Sequence, residues 1–207
     1  LVDLATWQTA WHVTTPARQV FLLKLAYLPF DLAIAGVLLR AAGRRGLALW
    51  AWAPAAIYTP LLMGQNDIYA TTSVAVAALC AACAIERRAL PSGRAKTGDA
   101  LAVAAVLVLG IGATFKTFPL LLVPPLALVV APTWRRRFVL VAIGAAPYLA
   151  ATLPFLTTPA YVDGVLRNPE GMTLFRTVSL GGLAIPLFPT GYAILLAILV
   201  SVARARR

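Results

Sequence analysis

Apolar residues occur along the whole chain in long runs, which short and mostly basic segments separate. A helix of about 20 apolar residues spans the hydrocarbon core of a bilayer, so these runs are of membrane-spanning size. The pattern therefore predicts an all-α fold, a polytopic transmembrane bundle of about seven membrane segments. The predicted segments lie near residues 19–39, 47–63, 68–85, 100–115, 118–131, 138–156 and 183–202.

One apolar run, residues 100–131, contains a single charged side chain, Lys116, at its midpoint. A straight helix of these 32 residues would be about 48 Å long, whereas the hydrocarbon core is about 30 Å thick. Two shorter arms fit, and they spare the ammonium group a cost of about 2.5–3.5 kcal/mol at the bilayer centre. We therefore predict a short hairpin over 100–131 with Lys116 at its tip, where a solitary cation suggests an anionic partner.

Composition and charge agree with a membrane protein. The chain is 61% hydrophobic and 12% charged, against about 25% charged for a soluble domain. Its net charge of +11 comes from clusters that resemble cytoplasmic loops, so it indicates topology and not nucleic-acid binding. Thirteen of the 18 basic residues lie in four such clusters: Arg40, Arg44 and Arg45; Arg87, Arg88, Arg94 and Lys96; Arg135, Arg136 and Arg137; Arg204, Arg206 and Arg207.

The basic clusters predict which side each loop faces. The loops before and after residues 100–131 are both basic and should share the cytoplasmic side, as a hairpin requires. The amino end and Lys116 then lie outside, and the carboxyl end lies inside. Residues 1–18 lack the pattern of a signal peptide. We therefore expect an earlier span upstream, so that 1–207 is one transmembrane domain from an amino-terminally truncated, multi-pass plasma-membrane protein.

Polar residues on the predicted outer side are the candidates for ligand binding. Gln65, Asn66 and Asp67 place two amides and a carboxylate between two apolar segments, where they can hydrogen-bond hydroxyl-rich ligands. Asn66 or Asp67 could instead cap the next helix, and the two roles are compatible. The outer loop 157–182 adds Arg167 and Arg176.

Two charged residues, Lys24 and Asp31, lie seven positions apart within the first apolar segment, on nearly the same helical face. An intramembrane carboxylate such as Asp31 is a candidate functional residue, although a structural contact between helices is the alternative. Lys24 lies nearer the outer edge and could extend to lipid headgroups without a specific role.

Glycine and proline residues flank the predicted hairpin tip. Gly110 and Gly112 precede it and permit close helix packing, while Pro119, Pro124 and Pro125 follow it. Short or interrupted segments are tolerated in a membrane where the backbone lines a protein cavity. This places a predicted pocket near Lys116.

Motifs for metals, nucleotides and redox cofactors do not emerge from the sequence. Cys80 and Cys83 are the only cysteines and His12 is the only histidine, too few for a structural zinc site, so we interpret the cysteine pair as packing residues. Phosphate-loop and dinucleotide-binding patterns are also lacking. We therefore expect neither a metal nor a cofactor.

Five segments follow one another in an order that can be compared with known families: residues 24–31, the Pro54 region leading to Gly64-Gln65-Asn66-Asp67, Phe115-Lys116-Thr117-Phe118-Pro119, residues 135–156 and residues 166–170. Each motif alone is short and degenerate, and their order is the stronger signal. That order is the one seen in polytopic GT-C glycosyltransferases, and the chain most resembles bacterial polyprenyl-phosphate-mannose-dependent mannosyltransferases over about residues 20–182.

The resemblance implies transfer of a sugar, expected to be mannose, from a polyprenyl-phosphate donor to a glycan or lipid acceptor on the extracytoplasmic face. Lys116, with Arg167 and Arg176 as helpers, would bind the donor phosphate, and Gln65, Asn66 and Asp67 would position sugar or acceptor. The family's catalytic carboxylate should lie upstream, with Asp3 as a weak candidate within this chain. A multi-pass transporter and a non-catalytic lipid-binding subunit are the alternative hypotheses.

Overall fold

The computed structural model of the chain describes residues 16–52, 67–89, 95–166, 177–180 and 183–205. This part is almost entirely helical, which confirms the predicted helical class. Three stretches within its helices are long and apolar enough to cross a membrane, namely Ile68–Ala89, Lys96–Ala113 and Trp134–Phe155. The main helices are α1 (Pro16–Trp52), α2 (Asp67–Ala89), α3 (Ala95–Ala113), α4 (Phe118–Val130), α5 (Trp134–Thr152) and α6 (Leu187–Ala205).

The predicted hairpin over 100–131 is confirmed. Helices α3 and α4 are its two arms, and a turn at residues 114–117 joins them with Lys116 in it. Thr117 precedes α4, and Pro119 lies in the first turn of that helix, where a missing backbone N–H costs nothing. The end of the bundle that holds this turn is called the Lys116 end below, and the opposite end, with Arg88 and Arg137, is called the basic end.

Helix α3 lies at the centre of the bundle and packs against α2, α4 and α5. The buried positions of α2 and α3 are mostly small and recur at helical spacing, so the helix backbones approach closely. Val106 and Leu109 of α3 belong to the same core cluster and are almost fully buried. The buried alanines are Ala70, Ala77, Ala81 and Ala84 of α2 and Ala102, Ala105 and Ala113 of α3.

Glycine is required at two crossings of α3. A Cβ atom on Gly110 would lie 2.1 Å from the carbonyl oxygen of Gly144 in α5, and one on Gly112 would lie 1.8 Å from the Ser73 hydroxyl of α2. Both distances are far inside van der Waals contact, so any side chain would force the helices apart. The close packing predicted for Gly110 and Gly112 is therefore present in the structure.

Helix α1 is interrupted at Gly43, whose φ of 64° lies in the left-handed region. The segment after Gly43 turns back toward the segment before it, as shown by a hydrogen bond of 3.0 Å that Trp50 Nε1 donates to Asp31 Oδ1. In a straight helix those residues, 19 positions apart, would be separated by about 28 Å. The sequence predicted a basic loop at residues 40–45, and the structure instead has two helical arms that meet at a single glycine.

The end of the described chain differs from the all-helical prediction. Short 3₁₀ and other helical turns occupy Leu153–Phe155, Pro159–Tyr161 and Val162–Leu166, and two strands, β1 (Thr177–Leu180) and β2 (Leu183–Pro186), pair antiparallel. The segment predicted over 183–202 therefore begins as a strand, and its helix begins only at Leu187. The Tyr192 hydroxyl of α6 donates a 2.6 Å hydrogen bond to the Leu121 carbonyl of α4 and fixes α6 to the bundle.

Arginine and aspartate side chains join three helices at the basic end. Arg88 of α2 donates to Asp99 Oδ1 of α3 from Nε at 3.0 Å and from Nη2 at 2.7 Å. Arg136 of α5 forms an ion pair with the other oxygen of the same carboxylate. One acidic side chain therefore connects α2, α3 and α5, and these side chains remain partly exposed.

Candidate functional site

Three aromatic rings surround Tyr69 at the Lys116 end of the bundle. The centroid of the Tyr69 ring lies 4.5 Å from that of Phe30, 4.9 Å from that of Phe115 and 5.6 Å from that of Tyr27. The two rings from α1 meet Tyr69 edge to face, a favourable arrangement that contributes about 0.5–1.5 kcal/mol per pair beyond area burial. The cluster thus joins α1, α2 and the hairpin turn.

Polar contacts hold α1 against α2 beside the ring cluster. The Thr72 hydroxyl of α2 lies 2.7 Å from the Ile68 carbonyl in its own helix and 3.2 Å from the Phe30 carbonyl in α1. Tyr27, at 1% exposure, is the largest of the almost fully buried side chains in the described residues. The position of α1 relative to α2 is therefore fixed at the level of the rings.

The turn that carries Lys116 is anchored to the end of α3. The backbone N–H groups of Phe115 and Lys116 both donate to the Gly112 carbonyl, at 3.1 and 3.3 Å. Because Gly112 itself packs directly on Ser73 of α2, the anchor of the turn is fixed from two sides. Lys116 lies exposed on this anchored turn, next to Phe115, whose ring packs on Tyr69.

Three segments that the sequence singled out separately meet at this end. Lys24 lies three residues before Tyr27 in α1, Asp67 begins α2 two residues before Tyr69, and Lys116 follows Phe115. The ring cluster brings these segments together in space. Tyr69 was not among the residues predicted from the sequence, although its position just after Gln65-Asn66-Asp67 was a usable signal.

Asp31 does not belong to the ring cluster and instead bonds Trp50 across the break in α1. This bond is a polar contact between helical arms, the structural role that the sequence left open for Asp31. Trp50 packs against the buried cluster formed by Tyr27, Ile34 and Ile68. The carboxylate therefore has a structural partner within the chain.

Several predicted site residues lie outside the described residues: Asp3, Gln65, Asn66, Arg167 and Arg176. For Lys24 and Asp67 the structure describes the helix that carries each of them. Of the residues predicted to bind the donor phosphate, the structure therefore describes Lys116. Of those predicted to bind the sugar or acceptor, it describes the position of Asp67 at the start of α2.

Side chains that could hold a metal ion are scattered through the described residues, where no group of three or more His, Cys, Asp or Glu occurs. Cys80 and Cys83 are thiols on α2, and Cys80 packs against the main core. Cys80 therefore takes a packing position, as its apolar surroundings in the sequence predicted.

The described structure defines a helical bundle with three helices able to cross a membrane and an aromatic cluster beneath an exposed lysine. Comparison with known protein families, curated proteins and solved structures gives no match to this chain. Function is therefore argued from the site itself.

Proposed function

We propose that the chain is the later part of a multi-pass GT-C-type glycosyltransferase of the plasma membrane, with about seven membrane segments. It would move a sugar, expected to be mannose, from a polyprenyl-phosphate donor to a glycan or lipid acceptor. One observation carries the proposal: the segments around Lys24, Asp67 and Lys116, which resemble that family in sequence order, meet at one end of the bundle through the rings around Tyr69.

The chemistry of glycosyl transfer fits this end. Negative charge develops on the leaving phosphate, and a cation held at a fixed place stabilises it. Lys116 supplies the cation, on a turn whose backbone is bonded to Gly112. Arg167 and Arg176 are its proposed helpers, and Gln65, Asn66 and Asp67 are the proposed polar groups for sugar or acceptor.

Aromatic rings beside the lysine also suit this ligand. The Phe115 side chain is 51% exposed and packs on Tyr69 with its inner face. A polyprenyl chain is apolar, so its first units could pack on Phe115 while its phosphate reaches Lys116. Proton abstraction from the acceptor hydroxyl is assigned to a carboxylate upstream of this chain, with Asp3 as the alternative within it.

Charge distribution supports an extracytoplasmic position for the Lys116 end. The clusters around Arg88, Arg136 and Arg204 lie at the opposite ends of their helices, and cytoplasmic loops are enriched in such residues. The sequence has no nucleotide-binding motif, which is consistent with a sugar donor that is linked to a lipid and carries no nucleotide.

The proposal is tested by replacing Lys116 in the full-length protein and following transfer of labelled mannose from polyprenyl-phosphate mannose to membrane acceptors. Lys116→Ala should lower transfer at least about tenfold, in line with the loss of a group that stabilises developing charge. Lys116→Arg should retain more activity, because it keeps the charge. Lys96→Ala is the matched control, since it removes an exposed lysine from the other end of the same hairpin.

Transfer by Lys116→Ala at the level of the unaltered protein would contradict the proposed role of this residue. Equal losses in Lys116→Ala and Lys96→Ala would contradict it as well, because they would indicate a general effect of charge or folding. Absence of any transfer by the intact full-length protein would contradict the proposed reaction.

A further inference from the structure

A cavity lies at the basic end, at the opposite end of the bundle from Lys116. Its volume is about 440 Å³, within the range of small-molecule sites. The end of α2, the turn between α4 and α5 and the end of α6 form its walls. The lining residues are Ile85 and Arg88 of α2, Leu128, Val129, Val130, Ala131, Pro132 and Arg137 of α4, α5 and the turn between them, and Leu199 and Val202 of α6.

The walls of this cavity are partly apolar and partly charged. Ile85, Val129, Leu199 and Val202 supply apolar surface, whereas Arg88 and Arg137 supply the charge. No acidic side chain lines it among the described residues. A ligand that matches both parts has an apolar chain and an anionic head.

Arg137 is held in place by the structure around it. Its Nε donates a 3.1 Å hydrogen bond to the Ala131 carbonyl, and its guanidinium carbon lies 4.6 Å from the centroid of the Trp134 ring. The residue is only 5% exposed although it carries a full charge. A guanidinium that is already oriented loses little conformational freedom when it binds a phosphate.

The two arginines that line the cavity belong to a wider basic cluster. Arg88 shares the carboxylate of Asp99 with Arg136, and Arg137 follows Arg136 in α5. A cationic pocket between helices of a membrane protein is a favourable place for an anionic lipid headgroup. Phosphate is recognised especially well by guanidinium groups, which donate paired hydrogen bonds.

We propose that this cavity binds one anionic phospholipid, with the phosphate at Arg137 and Arg88 and the start of an acyl chain along Leu199 and Val202. The proposal rests on the membrane position of the bundle and not on glycosyl transfer. The bound lipid would join the ends of α2, α5 and α6, so it would also stabilise the basic end.

Lipid binding is tested on the full-length protein in detergent by native mass spectrometry, with phosphatidylglycerol and phosphatidylcholine of the same acyl chains. The unaltered protein should retain phosphatidylglycerol preferentially. Arg137→Gln should weaken that preference about fivefold, the usual effect of one basic residue near an anionic lipid. Val202→Trp should abolish it by filling the cavity without altering any charge.

Arg135→Gln is the matched control, because Arg135 is an exposed arginine of the same cluster that does not line the cavity. If Arg137→Gln fails to fold, Val202→Trp alone decides the question. Equal retention of both lipids, equal losses in Arg135→Gln and Val202→Trp, or an unchanged preference in Val202→Trp would overturn the proposal.

Two further arms separate the source of the phosphate. Inorganic phosphate at millimolar concentration should not displace the lipid, and full displacement would overturn the requirement for an acyl chain. Tighter retention of polyprenyl phosphate than of phosphatidylglycerol would overturn the assignment to a phospholipid. Because these measurements use neither sugar donor nor acceptor, they stand or fall separately from the transfer assay.

Discussion

The indole of Trp50 donates a hydrogen bond to the Asp31 carboxylate across 3.0 Å, although Gly43 and two helical arms lie between them in the chain. This bond connects the two arms of α1 behind the break at Gly43. The bond explains why a carboxylate occurs in this mostly apolar segment, and no bound ligand has to be invoked for it. It gives the first prediction.

Asp31→Leu should lower the free energy of unfolding by about 1–3 kcal/mol, because the Trp50 N–H loses its acceptor in a partly buried place. Asp31→Asn should cost less, since an amide oxygen can still accept. Thermal unfolding in detergent measures both. Trp50→Phe should make Asp31→Leu nearly neutral, and additive losses in the double variant would contradict the pairing.

Gly112→Ala should destabilise the bundle by about 1–3 kcal/mol, because the new methyl group would collide with Ser73 of α2. Combining it with Ser73→Gly should recover part of the loss. Gly36→Ala is the control, since a Cβ there meets nothing within 4 Å, and that change should stabilise α1 by about 0.5–1 kcal/mol. Equal effects of the two glycine changes would contradict the packing at Gly112.

If the proposed mannose transfer holds, Tyr69→Leu should reduce it strongly while Tyr69→Phe retains it, because the aromatic ring and not the hydroxyl makes the contacts with Phe30 and Phe115. The expected loss is about tenfold or more, since the Lys116 turn would lose a ring that orients it. Thermal unfolding run in parallel confirms that the variants fold. A folded Tyr69→Leu protein with normal transfer would contradict the positioning role.

Asp99→Asn should lower the free energy of unfolding by about 1–2 kcal/mol, because Arg88 and Arg136 lose a shared carboxylate that is only partly shielded from solvent. High salt should reduce the difference by screening the pairs. Glu86→Gln, an exposed acid near the same end of α2, should change stability by less than about 0.5 kcal/mol. A similar loss in both variants would argue against a specific role for Asp99.

Cysteine labelling tests the sidedness of the bundle. In a chain with Cys80 and Cys83 replaced by alanine, a cysteine in place of Lys116 should react with a membrane-impermeant maleimide added to intact cells. A cysteine in place of Lys96 should react only after the membrane is opened, because the two positions lie at opposite ends of the hairpin. The reverse pattern would place the Lys116 end in the cytoplasm.

The hairpin could be predicted because its signal is local. A run of 32 apolar residues with one charge at its midpoint has few arrangements in a bilayer of fixed thickness. Glycine spacing near Gly110 and Gly112 also carried information, since small residues in apolar helices favour close packing. The α3–α4 turn at Lys116 therefore followed from length and charge alone.

The contacts around Tyr69 could not be predicted in the same way, because they join residues that are far apart in sequence. Composition does not show which face of α1 meets α2, so Tyr27 and Phe30 looked like ordinary apolar positions. The break at Gly43 was hidden because the surrounding arginines indicated a loop. The strands at residues 177–180 and 183–186 were missed because the apolar stretch around Leu183 and Ile185 also fits a helix.

The arms of the hairpin differ in length: α3 has 19 residues and α4 has 13. That difference corresponds to about 9 Å of helix, so the turn after α4 ends well short of the level where α3 begins. The additional residues at the start of α3 include Lys96 and Asp99, so this end of the helix is expected to lie among the lipid headgroups and not in the hydrocarbon core. The apolar part of each arm is then about 20 Å long against about 30 Å for the hydrocarbon core, so the bilayer beside the hairpin is expected to be thinner than elsewhere and to gather lipids with short chains.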